Sequence, residues 1–360
     1  MAAKFGSLRV LVGLALLAAC GDSSGQGPGS AGSPDGGAPI HPGDAAASAG
    51  DGASAAQLEA GGAVADATSA TGADAALTTD AATACAAYGK AYCEQYAACA
   101  ALTFTALAYG SVDECETRIL PLCMAELSAP GTARTVSVTA ACGAGVAADS
   151  CADFLLTTPA ACRGVGSLAN GEGCEFDSQC QSTHCATPNN AWCGQCASRI
   201  AAGSPCEDDP PGCDYGLICP NSQLCTAPAQ TNEACSDSTF CAPPDVCLQG
   251  ICSAPIALGA ACGDSPDCAG AASCLSSSNA STKTCTAVNY AAQANAACDY
   301  SSTYCIAPLG CFRVTDGGGT DTCLPMMADG KPCASGTQCE QPSLCISGTC
   351  TNVVDAASCH

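Results

Sequence analysis

Residues 235–252 read CSDSTFCAPPDVCLQGIC, with Cys235, Cys241, Cys247 and Cys252 separated by five, five and four residues. The stretch is too short to bury a core of its own, so covalent bridges must hold it. Its spacing recurs along the second half of the chain. Cys206, Cys213, Cys219 and Cys225 form one unit; Cys262, Cys268, Cys274 and Cys285 another; Cys298, Cys305, Cys311 and Cys323 a third; and Cys333, Cys339, Cys345 and Cys350 a fourth. The first unit reads as Cys174, Cys180, Cys185 and Cys193, with Cys196 as an extra cysteine. Units begin at 174, 206, 235, 262, 298 and 333, so they lie 27 to 36 residues apart, the range of stacked or strung modules. Several share a lead-in: LANGEGC, IAAGSPC, IALGAAC and MADGKPC. Two disulfides per unit, each worth about 2–4 kcal/mol, are expected to supply the stability.

Upstream the pattern turns helical. Tyr88, Tyr92 and Tyr96 recur every four residues, and Ser111 to Glu114 has the form of a capping box ahead of CETRILPLC, with Pro121 expected to end or kink that helix. Further helices are read in TVSVTAACGAGVAA and DSCADFLL, the latter closed by Pro159. This region carries Cys85, Cys93, Cys99, Cys115, Cys123, Cys142, Cys151 and Cys162. Cys115 and Cys123 are about 12 Å apart along a helix and cannot bond each other. The simplest antiparallel hairpin would join Cys99 to Cys115 and Cys93 to Cys123. The fold class is therefore a small disulfide-rich one: an N-terminal disulfide-stapled helical module over 85–165, then an array of six short Cys-rich loop and β-hairpin repeats over 166–360.

Thirty-five cysteines in 360 residues belong to an oxidising compartment. Residues 1–19 read as a signal peptide, with Lys4 and Arg9 before the apolar run from Val10 to Ala19, and Leu17-Ala18-Ala19-Cys20 resembles a bacterial lipobox. Cys20 is then the lipidation site and the membrane the first partner. Setting Cys20 aside leaves eight cysteines from Cys85 to Cys162 and twenty-six from Cys174 to Cys359, both even numbers, as two closed disulfide sets require. Residues 20–84, rich in Gly, Ala, Ser, Asp and Pro, read as a disordered tether whose flexible reach is roughly 40–50 Å. The net charge of −23, with only ten Lys and Arg, excludes nucleic acid as a partner.

Chemistry is sparse. The run WCGQC at 192–196 spells a thioredoxin-like redox site, but turn residues flank it and Cys193 is needed by the first repeat, so it reads as structural. The cysteines lack the paired short spacings of zinc sites, which leaves no metal and no cofactor. His41, His184 and His360 stand beside no recognisable nucleophile and read as solvated, so no catalytic residue is assigned and no enzyme is expected. Asp177, Asp208, Asp237, Asp264 and Asp299 recur after the first cysteine of a unit. They read as turn caps that bond their own backbone, in preference to calcium ligands.

The first unit, C174-E-F-D177-S-Q-C180 closing on C193-G-Q-C196, resembles the Dickkopf N-terminal cysteine-rich region. The chain as a whole is similar to bacterial lipoproteins given that domain label. The resemblance covers about 25 residues well and the later units loosely, since they lack the closing C-x-x-C. It implies a disulfide scaffold without enzymatic role and does not extend to Wnt signalling. The expectation is an extracytoplasmic lipid-anchored protein, at the outer membrane or cell surface, that binds or adheres to an envelope or extracellular protein or glycan. A passive structural spacer is the alternative, and an enzyme of unrecognised type the third reading. Phe176, Trp192, Phe240, Tyr300, Tyr304 and Phe312 would gather on one face in a binder and scatter in a spacer.

Overall fold

The computed structural model of the chain describes residues 80–187, 191–206, 212–220, 224–236, 238–264, 267–276, 282–313, 321–333, 339–352 and 359. The signal-like segment, Cys20, His41 and the tether through residue 79 lie outside these residues, as do Asp208, Asp237 and His360. The described chain is a small disulfide-rich fold with a helical N-terminal region and short strand hairpins.

Helix α1 runs from Ala81 to Cys99 and starts inside the stretch read as tether, because the Asp80 carboxylate accepts the Thr83 N–H at 2.7 Å and caps it. A short turn, α2 (Ala101–Thr103), and a π-turn over Phe104–Ala108 lead to α3 (Val112–Ser128), α4 (Val136–Ala148) and α5 (Cys151–Leu156). Ser111, Thr135 and Ser150 each cap the helix that follows through a side-chain oxygen. Pro121 does not end α3, which continues to Ser128. The four-residue spacing of Tyr92 and Tyr96 puts both rings on the buried face of α1, where they meet Phe154, Phe104 and Tyr109 at centroid distances of 5.4–6.4 Å. Helix α4 lies so close to α1 that a Cβ on Gly143 would sit 3.1 Å from Tyr88 Cα, which is why a glycine stands there.

The helical disulfides differ from the simple hairpin. Cys85 bonds Cys123 and Cys93 bonds Cys115, which keeps α1 and α3 antiparallel but shifts the register by one cysteine. The cause lies in residues 100–111: α2 and the π-turn fold Phe104 and Tyr109 back onto Tyr96, so the connection is no tight turn. Cys99 at the end of α1 is then left for Cys151 on α5, and Cys142 bonds Cys162.

All six repeats have one wiring. The first cysteine bonds the third and the second bonds the fourth, as in Cys235–Cys247 with Cys241–Cys252 and Cys333–Cys345 with Cys339–Cys350. Cys206–Cys219 with Cys213–Cys225, Cys262–Cys274 with Cys268–Cys285, and Cys298–Cys311 with Cys305–Cys323 repeat it. The third and fourth cysteines face each other across an antiparallel hairpin, so their sulfurs leave one face side by side toward the first two. A lead-in residue pairs in parallel with the second cysteine: Leu168, Ile200, Ala229, Ile256, Ala291 and Met327. The lead-in then turns through a residue with positive φ: Gly171, Gly203, Asn232, Gly259, Asn295 or Gly330. Its N–H donates to the carbonyl of the fourth cysteine in every repeat. Glycine, or asparagine with its tolerance of the left-handed region, is what that bond requires.

These rules correct the first repeat. Cys196, not Cys193, faces Cys185 across the sheet, bonds Cys180 and accepts the Gly171 N–H, so Cys196 is the fourth cysteine, beside the Cys174–Cys185 bridge. Cys193 is the extra one, and it bonds Cys359, 166 residues away. The array therefore closes on itself instead of running out as a string. The first repeat and the residues after the sixth are joined covalently, and Trp192 Nε1 donates to the Thr351 carbonyl beside the bridge. Trp192, with Leu344 of the sixth repeat, enters the helical core. Arg118 of α3 ion-pairs with Glu340 and donates to the Gln341 carbonyl at 2.7 Å. The fifth repeat meets the π-turn where Ala307 N–H donates to the Thr105 carbonyl and Tyr304 packs with Ala106 and Val288.

Replacing Cys193 and Cys359 together by Ser should leave the crossed bridges intact while lowering the stability of the closed array by about 2–5 kcal/mol. The Trp192 emission should shift to the red, as read by fluorescence during denaturant titration. A second outcome concerns the α1 face. Burial pushes the Tyr92 and Tyr109 hydroxyls well above the usual tyrosine range, and burial likewise raises Tyr96. In the unfolded chain they ionise near pH 10. Their contribution is fully present below about pH 10 and is lost as pH climbs beyond it, because the unfolded state releases protons that the folded state keeps. Their phenolate absorbance should appear in one cooperative step together with loss of near-UV dichroism, and not as a gradual titration.

Candidate functional site

The helices and the first two repeats meet around a cavity of about 120 Å³. The loop between α3 and α4 builds its rim. Ala133 N–H donates to the Ser178 carbonyl at 2.8 Å, and the Gln179 amide donates to the Pro130 carbonyl at 2.9 Å while its oxygen accepts from Glu175 and Phe176 N–H. Phe176 packs against Ala129 at the end of α3. Leu122, Cys123 and Glu126 of α3, Val146 of α4, Phe154 of α5 and the segment Thr157–Gly164 form the other walls, with Tyr88 of α1 and Tyr215 of the second repeat. Ordinary small-molecule pockets are larger, about 300–1,000 Å³.

Arg134 and Arg163 line the cavity together with Glu126 and Asp177, and Arg199 stands beside it against Asp177, so three of the ten basic residues of the chain gather here. Arg134, only 6 % exposed, lies over the Tyr88 ring at 5.1 Å, donates to the Cys162 carbonyl at 3.4 Å and approaches Glu126 at 3.5 Å. Its Nε lies within ion-pair range of Glu126 but has no hydrogen-bond partner. Burial works against the charge of Arg134, yet Glu126 and Tyr88 outweigh it and hold the guanidinium above its ordinary pKa. Arg163 donates to the Thr158 carbonyl and stacks on Tyr215 at 4.0 Å. Arg199 stacks on the same ring at 3.9 Å, donates to Asp177 at 3.1 Å and to the Tyr215 hydroxyl at 3.0 Å, and reaches the Thr183 and Cys213 carbonyls. The ring and its two cations fasten the second repeat to the first and to the helices.

His184 is not solvated as expected. It is 8 % exposed, with Nδ1 3.6 Å from Asp177 Oδ1, and its Nε2 lies so near Gly212 that a Cβ there would come within 2.7 Å. The hydroxyl beside it in sequence, Ser182 Oγ, donates to the His184 carbonyl and not to the ring. Asp177 accepts the Cys185 N–H at 2.7 Å, and Asp299 accepts from the N–H of Ser301, Ser302 and Thr303, so these two act on backbone. At Asp299 burial would raise the pKa, but the hydroxyl and N–H of Ser302, with the N–H of Thr303 and Ser301, outweigh it and hold the carboxyl well below its usual range. In the fourth repeat Asp267, not Asp264, takes this part, accepting from Gly263 and Asp264 N–H. Three cysteine sulfurs crowd within 4.8 Å in several repeats, as crossed bridges require, but each belongs to a disulfide and none is a thiolate.

Of the six aromatic candidates, Phe176, Trp192 and Tyr304 are buried against the helical module. Tyr300 is half exposed and stands edge-on to Tyr304, while Phe240 and Phe312 are partly buried. The arginine cluster and Tyr215 were not foreseen. The scarcity of basic residues was the available signal, since in so acidic a chain an arginine is seldom idle. No protein-family model matches the chain, and neither a curated protein nor a solved structure is similar to it.

Arg199→Gln should destabilise the contact between the first two repeats by about 1–3 kcal/mol, because it removes the guanidinium that pairs with Asp177 and stacks on Tyr215, while the Cys185 N–H still donates to the carboxylate. Hydrogen exchange should rise at Cys185 N–H and around Tyr215 and stay unchanged in the fourth repeat.

Proposed function

We propose that the protein is a lipid-anchored, extracytoplasmic binding or adhesion module of the cell envelope. The observation behind this reading is the covalent completeness of the head. Every cysteine from Cys85 to Cys359 is in a disulfide, and one bridge closes the repeat array on itself. Such a body keeps its loops in place outside the cell, where proteases and dilution act on it. Lipidation at Cys20, a signal peptide over 1–19 and the likeness of the first repeat to the Dickkopf cysteine-rich region belong to this proposal. The partner would be an envelope or extracellular protein or glycan, met through polar loops. A passive structural element is the second reading, favoured by the inward placement of Phe176, Trp192 and Tyr304.

Cys20→Ala should abolish lipidation and move the protein from the membrane to the soluble fraction, with the mature N-terminus read by mass spectrometry. A mature chain lacking Cys20 would contradict the anchor. Replacing residues 80–360 by an unrelated folded domain on the same anchor and tether separates the two readings. Loss of cell attachment supports the binding module, and unchanged attachment supports the passive element.

A further inference from the structure

We infer that the outer face of the third repeat's hairpin is a docking surface for a second protein, one that presents an apolar helix face bordered by arginine or lysine. The third repeat stands apart in the fold. The first repeat puts Phe176 and Trp192 against the helical module, and the second puts Tyr215 under Arg163. The fourth and fifth bring Ala271 and Tyr304 into one cluster with Ala106, and the sixth sends Leu344 into the helical core. The buried residues of the third, Ala229, Cys235 and Cys252, cluster with its own Cys241. Among the described residues, no hydrogen bond, ion pair, disulfide or ring contact joins residues 229–255 to a helix.

The hairpin has two faces. Val246 pairs with Ser253, Cys247 with Cys252 and Leu248 with Ile251. The cysteines point toward the crossed bridges, so Val246, Leu248 and Ile251 share the other face. Ile251 is 41 % exposed, and Val246 and Leu248 are partly exposed. The sixth repeat shows the same face covered. There Leu344 pairs with Thr351, Cys345 with Cys350 and Ile346 with Thr349, in the same register. At the positions of Val246 and Leu248, Leu344 lies buried in the helical core and Ile346 packs against it. The Glu340 carboxylate of that repeat pairs with Arg118 on α3. The molecule thus holds one example of the contact, in which an aliphatic hairpin face meets an apolar helical surface and a repeat carboxylate meets a helix arginine.

Charge selects the partner. In the sixth repeat the Cys350 N–H donates to the carbonyl of Lys331, and in the third the Cys252 N–H makes the same bond to Glu233, so an acid stands where the covered hairpin has a base. Asp245 directly precedes Val246, and from residue 200 to 282 the chain has nine Asp and Glu and no Lys or Arg. An apolar face whose neighbouring charges are carboxylates suits a partner edged with cations. A second copy of this chain, with its own net charge of −23, is repelled. The inference rests on the binding reading proposed above and adds an apolar contact to its polar loops.

The test uses the whole chain with its disulfides intact and a synthetic amphipathic helical peptide with a Leu and Phe stripe bordered by Arg. Two control peptides replace the Arg by Glu, or the Leu and Phe by Gln. Methyl NMR should show shifts at Val246, Leu248 and Ile251 with the first peptide, and each control should bind at least about tenfold more weakly. Leu248→Thr with Ile251→Thr, at positions where little is buried, should weaken the first peptide about tenfold with near-UV dichroism unchanged. Equal binding of the Glu peptide, shifts confined to other residues, or no binding would each overturn the assignment. Sedimentation should show a monomer, and a dimer that the double variant dissociates would overturn the choice of partner. In the cell-attachment comparison, loss on replacing residues 80–360 but not with the double variant would overturn this surface and leave the binding reading standing.

Discussion

A unit of about thirty residues with few large apolar side chains has one way to hold a shape, which is to bond itself, and in this protein it does so by crossing two disulfides. The cross needs the third and fourth cysteines side by side, and a hairpin supplies that because opposite residues in an antiparallel pair point to the same face. The hairpin in turn needs its edge bound, and the lead-in provides this through the N–H that donates to the fourth cysteine's carbonyl. The turn carrying that N–H lies in the left-handed region, so the position is Gly or Asn in all six repeats. Cysteine spacing, hairpin and turn residue are thus consequences of one covalent requirement.

The helical region works by different physics. It carries a core of stacked and tilted aromatic rings that four disulfides fasten without replacing. Its apolar surface exceeds what the helices cover among themselves, and the repeats complete it. Trp192 and Leu344 enter that core, and Phe176 and Tyr304 seal its margins. Phe176, Trp192 and Tyr304 of the array are thereby turned inward, and the four arginines from Arg118 to Arg199 each join one segment to another. The bridge from Cys193 to Cys359 locks the same arrangement covalently.

The repeats were legible because cysteine counts and glycine lead-ins are local features. Asn232 and Asn295 show how the same turn hides when glycine is absent, although asparagine is its usual substitute. The assignment of Cys193 and Cys196 was not legible. The last spacing of the repeat is variable enough to admit either, and only the pairing with Cys185 and the Gly171 hydrogen bond separate them. In the helices the antiparallel sense of α1 and α3 could be read, but not its register, since that depends on how residues 100–111 fold back on Tyr96. The junction of Arg134, Arg163, Arg199 and Tyr215 brings together residues as far as 81 positions apart, as their numbering shows, and no local pattern announces it.

The central claim is that Cys196 belongs to the first repeat and Cys193 closes the array. Proteolysis of the unreduced protein between Cys193 and Cys196, followed by mass spectrometry of the linked peptides, tests it most directly. The account predicts a peptide containing Cys193 joined to the one containing Cys359, and a separate peptide joining Cys180 to Cys196. A Cys180–Cys193 bridge, or one between Cys193 and Cys196, would contradict it.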